Sequence, residues 1–372
     1  MPPFFFIVLL LVTVMSVLFG AQFFLYASLV RFFSIMDMTN RLAVYVSTSF
    51  LPLSFIVASI FATLKENTFT KYFYVFSGML LGIGANLVLA ALSVWGIVFL
   101  LSFFPIPVSV PILAGVFFAV SVGVSFYGIW NTGHPIVKRI EVALPGLSEE
   151  WKGKRIVQLS DIHLGYVYQP EFMRRIARQV DELHPELVVI TGDLFDGMDG
   201  ELETSLDAIN EIRAREGILF VNGNHETYFG LEKTFALLSR TKIRVLRDEV
   251  ADIRGLKIIG IGYPERGEKK DVVGVARKLE GEWRGHPNIL LYHSPTHISG
   301  FKAAGIHLQL SGHTHRGQIF PFNLITKLVY RGHDHGLYRD GDYTLYTTSG
   351  IGTWGPAMRI GNHPEIVEIT LR

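Results

Sequence analysis

The chain has 372 residues, which is too long for one typical domain and suits two or three. Its formal net charge is +1, it has no long basic tract, and it contains no cysteine. This composition excludes disulfides, thiolate metal ligands and a cysteine nucleophile, and it argues against nucleic acid as a partner. Charged side chains are concentrated after about residue 135, so we interpret the chain as a membrane region followed by a polar domain.

The first third of the chain is expected to cross a membrane four times. Asp, Glu, Lys, Arg and His are absent from three long segments, 3–30, 42–64 and 72–133. A bilayer core needs roughly 20 apolar residues per helix. The first two segments therefore supply one span each, and the third supplies two. Pro105, Pro107 and Pro111 separate these last two spans, because proline interrupts a helix.

The basic residues beside the spans predict the orientation. With four spans, Lys65, Lys71 and the basic residues after 135 share one side of the membrane, whereas Arg31 and Arg41 lie on the other. Because the side richer in Lys and Arg is usually cytoplasmic, we expect a multi-pass cell-membrane protein with its polar domain in the cytoplasm. A cleaved signal peptide is disfavoured, since no Lys or Arg precedes the first apolar run and no A-x-A site ends it.

We interpret the spans as an anchor that contacts membrane lipid. Transporters usually carry ionisable groups inside the membrane, and Asn86 is the one strongly polar side chain that we expect there. The predicted organisation is a transmembrane helical region at 1–134, a linker at 135–153 and a polar domain at 154–372.

In the polar domain, short β-rich runs alternate with helical ones. RIVQLS, ELVVIT and ILFVNG read as buried strands, and Glu171–Leu183 and Leu202–Arg213 have apolar residues at helical spacing. This alternation predicts a layered α/β domain. The later runs LKIIGIG, NILLYHS, HLQLSG and YTLYTTS have fewer helices between them, so part of the second half should pair antiparallel, as in an α/β/β/α sandwich.

Metal-ligating side chains follow five of these strands at the point where each strand ends. They are Asp161 and His163, Asp193, Asn224 and His225, His293, and His313 and His315. Because ligands collect at the carboxyl ends of strands in open α/β sheets, we expect these side chains to form one site. Glycines beside three of the groups allow tight turns and close backbone approach.

The ordered blocks D-x-H, GD, GNHE, a lone His and GHTH resemble the calcineurin-like metallophosphoesterase superfamily. The tail GIGTWGPAMRIGNHPEI is similar to a membrane-anchored branch of that superfamily, related to UDP-2,3-diacylglucosamine hydrolases and to the transmembrane protein with a metallophosphoesterase domain. The match covers roughly residues 154 to 371. It implies a four-layer α/β/β/α metallophosphoesterase sandwich and a metal-dependent phosphoric ester hydrolase.

The resemblance also implies a role for each residue of the site. Two metal ions about 3.5–4 Å apart can grip both the attacking and the leaving oxygen of a phosphoryl displacement. The implied ligands are Asp161, His163 and His315 for the first ion, Asn224, His293 and His313 for the second, and Asp193 shared by both. His225 is expected to protonate the leaving oxygen or to stabilise the phosphate. Glu226 is expected either to orient His225 or to be a solvated surface residue.

The donor set limits the metal but leaves the substrate open. Oxygen and nitrogen ligands without sulfur fit Mn²⁺, Fe or Zn²⁺, and the resemblance favours two Mn²⁺ ions. The expected substrate is a lipid-linked or nucleotide-linked phosphodiester, pyrophosphate or phosphomonoester at the membrane surface, and no obligate protein partner is inferred. Two alternatives stay open: a non-catalytic membrane sensor or scaffold, and an envelope phosphatase that faces outside.

Overall fold

The structure is a computed structural model that describes residues 3–198 and 200–372. The described residues form two compact units. One unit contains the N-terminal helices and the short segment Gly355–Met358, and the other runs from Asn131 to Arg372 apart from that segment.

The first unit has four helices, each long and apolar enough to cross a membrane. They are α1 (Pro3–Phe32), α2 (Met38–Leu64), α3 (Thr68–Leu101) and α4 (Val110–Thr132). The break between α3 and α4 contains Pro105 and Pro107, and Pro111 lies in the first turn of α4. The prediction of four apolar helices with a proline-rich break is therefore confirmed.

Neutral polar side chains pair between these helices. Asn86 on α3 donates a hydrogen bond to Ser125 on α4 at 2.8 Å. Gln22 on α1 is also buried, and it donates to Thr48 on α2 at 3.1 Å. The expectation that Asn86 is the one strongly polar side chain inside the spans was therefore wrong. Such bonds join helices where lipid offers no competing partner.

The second unit contains two sheets of six strands each within the described residues. The strands of the first sheet are β1 (Ile136–Val142), β2 (Arg155–Leu159), β3 (Leu187–Thr191), β4 (Ile218–Val221), β5 (Ile243–Val245) and β12 (Glu365–Leu371), in the order β1-β12-β2-β3-β4-β5. The strands of the second are β6 (Glu249–Ile253), β7 (Leu256–Gly260), β8 (Asn288–Leu291), β9 (Leu308–Ser311), β10 (Gly336–Asp340) and β11 (Tyr343–Thr347), in the order β10-β11-β9-β8-β7-β6.

Eight helices of the described chain belong to this unit. They are α5 (Pro170–Glu182), α6 (Leu202–Glu211), α7 (Asn224–Phe229), α8 (Leu231–Leu238), α9 (Val272–Lys278), α10 (Glu280–Trp283), α11 (Ile298–Ala304) and α12 (Phe322–Val329). Both helices predicted from apolar spacing are present, as α5 and α6.

Three apolar cores separate four layers. Successive residues of a strand point to opposite faces of the sheet, so Val157 packs with the core that contains α5 and α6, while Ile156 packs with the core between the sheets. In the second sheet, Leu291 faces that middle core and Leu290 faces the core that contains Phe301 of α11. The expected α/β/β/α sandwich is thus confirmed.

The segment 135–153, which was expected to be a linker, is part of this folded unit. It contains β1, which pairs in parallel with β12 along its whole length, and Trp151, which is fully buried. β1 is an edge strand with exposed polar residues such as Lys138 and Arg139. Its sequence therefore lacks the apolar run that identifies a buried strand.

Strand direction brings the predicted ligands to one edge. β2, β3 and β4 are parallel neighbours in the first sheet, and β8 and β9 are parallel neighbours in the second. The carboxyl ends of these five strands carry all the candidate ligands. Among the described residues, the antiparallel pairs of strands are β12 with β2, β6 with β7, and β10 with β11.

Candidate metal centre

Three overlapping groups of metal-ligating side chains meet at the strand ends, and one of them consists of His163, Asp193 and His225. The other two contain only predicted ligands. In the first group, donor atoms of Asp161, His163 and His315 lie within 4.8 Å of one another. Nε2 of His163 is 3.1 Å from Nε2 of His315, which in turn is 3.4 Å from Asp161 Oδ1. These are the three residues that the family resemblance assigns to one ion.

The second group is centred on His293. Its Nε2 atom lies 3.1 Å from Asp193 Oδ2, 3.1 Å from Asn224 Oδ1 and 3.2 Å from His313 Nδ1. Oδ2 of Asp193 is also 4.0 Å from Nε2 of His163 in the first group. Asp193 therefore lies between the two groups, and all seven predicted ligands are brought together.

Nitrogen and oxygen atoms crowd around Nε2 of His293. Nδ1 of His293 lies 2.7 Å from the Thr191 carbonyl, so a ring that donates from Nδ1 directs Nε2 at Asp193, Asn224 and His313. Oδ2 of Asp193 and Oδ1 of Asn224 are acceptors, so a proton or a cation at Nε2 relieves the repulsion between these atoms. The donor set therefore fits a divalent metal ion.

Charge and burial at the site shift the pKa values of these groups. Burial alone would lower the pKa of His293, but the Asp193 carboxylate overrides it and raises the pKa to about 9. Burial raises the pKa of Asp161, and the Asp193 charge adds to that shift. Burial and the neighbouring His293 lower the pKa of His313 to about 3. His313 is therefore neutral at physiological pH, which is the form that binds metal.

His225 stands at the rim of the first group. Its Nδ1 atom is 3.2 Å from the Asp196 carbonyl, and its ring lies edge-on to that of His163 with 4.5 Å between the centroids. Its side chain keeps 20% of its surface exposed, whereas that of His163 keeps 1%. Burial and the nearby His163 lower the pKa of His225. A proton on Nδ1 would be held by Asp196, leaving Nε2 free to exchange.

Glu226 differs from both sequence expectations. It is fully buried, and its carboxylate accepts hydrogen bonds from the backbone N–H groups of Asp193, Phe195 and Gly223 at 2.7–3.0 Å. Burial and the Asp193 charge raise its pKa to about 7. Glu226 thus ties the loop after β4 to the loop after β3. Its neighbours in sequence are polar, so nothing in the sequence indicated this burial.

The backbone of the ligand loops is strained. Five of the seven predicted ligands have positive φ angles although they are not glycine. They are Asp161, His163, Asp193, His313 and His315, with φ between 47° and 73°. Such residues are uncommon outside functional sites, where each costs about 1–3 kcal/mol. The loops are therefore held in shape by their surroundings.

Arg359 is a supporting residue that the sequence did not single out. Its guanidinium is fully buried and lies 3.2 Å from Nδ1 of His315. It also donates to the carbonyl groups of Ser349 at 2.7 Å and Gly350 at 3.2 Å, and to Asn362 at 2.9 Å. Its place in the tail GIGTWGPAMRIG, which carried part of the family resemblance, is the signal that could have identified it.

A cavity of about 1200 Å³ opens beside the second group. His313 lines it together with Tyr263, Tyr330 and Arg331. The Tyr263 ring lies 5.9 Å from the rings of both His293 and His313, measured between centroids. The cavity therefore joins the metal-ligating groups to aromatic and cationic side chains. No sequence pattern indicated the two tyrosines.

The comparisons with known proteins agree with this geometry. A family model described as calcineurin-like phosphoesterase matches residues 154–317. An uncharacterized metallophosphoesterase of Aquifex aeolicus is 30% identical over 228 residues, which are 59% of this chain and 85% of that protein. The chain belongs to the calcineurin-like metallophosphoesterase family.

Two further relatives match a similar share of this chain. An uncharacterized metallophosphoesterase of Campylobacter jejuni is 34% identical over 249 residues, covering 64% of this chain and 63% of the relative. A transmembrane protein with metallophosphoesterase domain from Danio rerio is 34% identical over 266 residues, covering 66% of this chain and 60% of the relative. The chain thus spans somewhat less than two thirds of the length of these two proteins.

Gly312 lies so close to a predicted ligand that a larger residue there gives a steric test of the site. A Cβ atom on Gly312 would lie 2.1 Å from Asp161 Oδ2, so we expect Gly312→Ala to displace that carboxylate and lower metal affinity at least about 10-fold. Metal content of the purified protein, measured by mass spectrometry after dialysis, checks this. The matched control is Gly281→Ala in α10, where nothing lies within 4 Å. Equal metal content in the two variants would contradict the assigned ligand geometry.

Proposed function

We propose that this protein is a dinuclear metal-dependent phosphoesterase. Asp161, His163 and His315 would hold one ion, Asn224, His293 and His313 would hold the other, and Asp193 would contribute to both. The observation that carries the proposal is the position of Asp193, whose Oδ2 atom is 3.1 Å from Nε2 of His293 and 4.0 Å from Nε2 of His163. A carboxylate between two buried groups of nitrogen and oxygen donors is what a pair of cations requires.

The residues of the chain bind and orient the reactants. When bound, the two ions supply positive charge for the phosphoryl oxygens and lower the pKa of a water molecule. His225 supplies a proton to the leaving oxygen from Nε2, because Nδ1 is directed at the Asp196 carbonyl. We assign it this role, and not that of a ligand, because its side chain is 20% exposed, whereas those of His163 and His293 beside Asp193 are 1% and 0% exposed.

The donor atoms limit the choice of metal, and the apolar helices suggest where the substrate lies. The nitrogen and oxygen donors accept Mn²⁺, Fe or Zn²⁺, and we propose Mn²⁺. We propose that the substrate is a phosphodiester, pyrophosphate or phosphomonoester at a membrane surface, linked to a lipid or a nucleotide. The four apolar helices support this location, because they keep the site within reach of amphiphilic molecules.

Asp193→Asn should test the shared carboxylate. Loss of its charge weakens the binding of both ions. We therefore expect the rate of hydrolysis of bis-p-nitrophenyl phosphate with Mn²⁺ to fall at least about 100-fold in detergent-solubilised enzyme. Asp207→Asn, an exposed position on α6, is the matched control and should keep full activity. If no divalent metal gives activity towards phosphomonoesters, phosphodiesters or lipid pyrophosphates, the enzyme proposal fails and a non-catalytic sensor or scaffold remains.

His225→Ala should reveal a leaving-group effect. A general acid contributes about 10²–10⁴-fold when the leaving oxygen is basic, and much less for p-nitrophenolate, which leaves without a proton. We expect the variant to lose far more activity with alkyl phosphodiesters than with p-nitrophenyl esters, while its metal content stays unchanged. An equal loss with both kinds of substrate, together with a loss of metal, would instead make His225 a ligand.

Cytoplasmic orientation is also part of the proposal, and the distribution of Lys and Arg around four spans supports it. Green fluorescent protein fused after Arg372 should fluoresce in bacterial cells, and alkaline phosphatase at the same position should be inactive. A truncated fusion after Ile35, beyond α1, should give the opposite pair of results. Active alkaline phosphatase after Arg372 would instead identify an envelope phosphatase.

A further inference from the structure

Helix α12 (Phe322–Val329) presents an apolar surface to the outside of the second unit. None of its residues is buried. The exposed fractions of its large apolar residues are 49% for Phe322, 58% for Leu324, 55% for Ile325, 80% for Leu328 and 64% for Val329. Phe320, just before the helix, is 50% exposed. This group of six residues is called the α12 surface below.

The helix is amphipathic in the reverse of the usual sense. In a water-soluble protein the apolar stripe of a helix faces the core and the polar residues face solvent. Here the polar residues Asn323 and Thr326 are partly buried, and the Thr326 hydroxyl donates to the Asp334 carboxylate at 3.2 Å. The polar side thus holds the helix to the domain, which leaves the apolar side for another medium.

The charged residues next to α12 in the sequence are positive. Between Arg316 and His333 the sequence has three basic residues, Arg316, Lys327 and Arg331, and no Asp or Glu. Asp334, the next acidic residue, is buried and bound by Thr326. An apolar surface flanked by Lys and Arg complements the acyl and anionic headgroup regions of a bilayer.

An exposed tryptophan extends this surface. Trp354 is 57% exposed, and its backbone exchanges two hydrogen bonds of 3.1 Å with the side chain of Gln318, two residues before Phe320. Tryptophan is enriched at membrane interfaces because its ring is apolar and its N–H is polar. The chain also brings the domain to a bilayer, because three residues, 133–135, separate α4 from β1.

The surface continues into the cavity beside the metal-ligating groups. Val329 belongs to both, and the next two residues, Tyr330 and Arg331, line the cavity together with His313. A molecule embedded in the same leaflet would therefore have its headgroup next to an aromatic and cationic cavity that leads to the candidate ligands.

We propose that the α12 surface inserts into the headgroup and acyl boundary of a lipid bilayer, and that the adjoining cavity receives the phosphate group of an amphiphile from that bilayer. The second half rests on the proposed phosphoesterase function. The first half does not, because insertion requires no catalysis.

The absence of cysteine from the chain allows a direct test of insertion. Full-length protein with Leu328→Cys is labelled with an environment-sensitive fluorophore and reconstituted in vesicles of phosphatidylcholine and phosphatidylglycerol. We expect a blue-shifted emission that is quenched by lipids with a doxyl group on the acyl chain. Ala236→Cys, at an exposed position on α8, is the matched control and should show neither effect.

Other results would overturn the insertion proposal. A label at Leu328 that is as water-exposed as the one at Ala236 would mean that the surface faces solvent. A shielded label that doxyl lipids do not quench would mean that a second copy or another protein covers it.

A substrate comparison tests the second half. We expect Ile325→Glu and Leu328→Glu together to lower the hydrolysis of a phosphoester with two acyl chains in vesicles at least 10-fold, and to change that of soluble bis-p-nitrophenyl phosphate less than 2-fold. An equal effect on both substrates would overturn delivery from the bilayer. Quenching at Leu328 without activity on either substrate would support insertion and contradict the phosphoesterase function, so the two failures can be told apart.

Discussion

Asp193 is a buried, charged carboxylate among imidazole rings, and the loops at this edge of the sandwich are shaped around it. Its Oδ1 atom accepts the backbone N–H of His225 at 2.9 Å, and its own N–H donates to Glu226 at 2.9 Å. A Cβ atom on Gly223 would lie 2.2 Å from that same Oδ1 atom. The turn after β4 therefore needs glycine, and the following helix begins where the carboxylate is already bound.

The rest of the sandwich stabilises these loops although their backbone is strained. Two carboxylates, those of Asp193 and Glu226, share one buried region, and the pKa of Glu226 is raised to about 7 by burial and by that proximity. Positive φ angles at the ligand residues add to the strain. Three apolar cores fix the strands on which the loops begin.

Polar groups are used differently in the two units. In the helical unit they include neutral amides and hydroxyls that bond to one another, as in the bond between Gln22 and Thr48. In the sandwich they include buried charges, such as Asp161 and Arg359, that are bound by other polar groups. Helix α12 belongs to the second unit but resembles the helices of the first. Its apolar residues are exposed, and the hydroxyl of Thr326 bonds to a buried partner. That difference is why we infer a lipid partner for it.

The sequence by itself determined the features that depend on local pattern. Apolar length predicted the four helices, β-rich runs predicted the central strands, and the order of the motifs predicted which side chains meet. Apolar runs and strand ends are properties of neighbouring residues, so no partner needs to be known. The dinuclear assignment and the substrate depend on the family resemblance and remain proposals.

Only the tertiary structure decided the features that depend on distant partners. β1 is polar and is a strand because β12, more than 220 residues later, pairs with it. Glu226 is buried because the loop after β3 covers it, and Arg359 lies against His315 although 44 residues separate them. The outward apolar side of α12 is visible only once Thr326 is seen to bind Asp334. Burial and pairing are set by contacts that sequence periodicity does not record, and these contacts hold the predicted ligands in place.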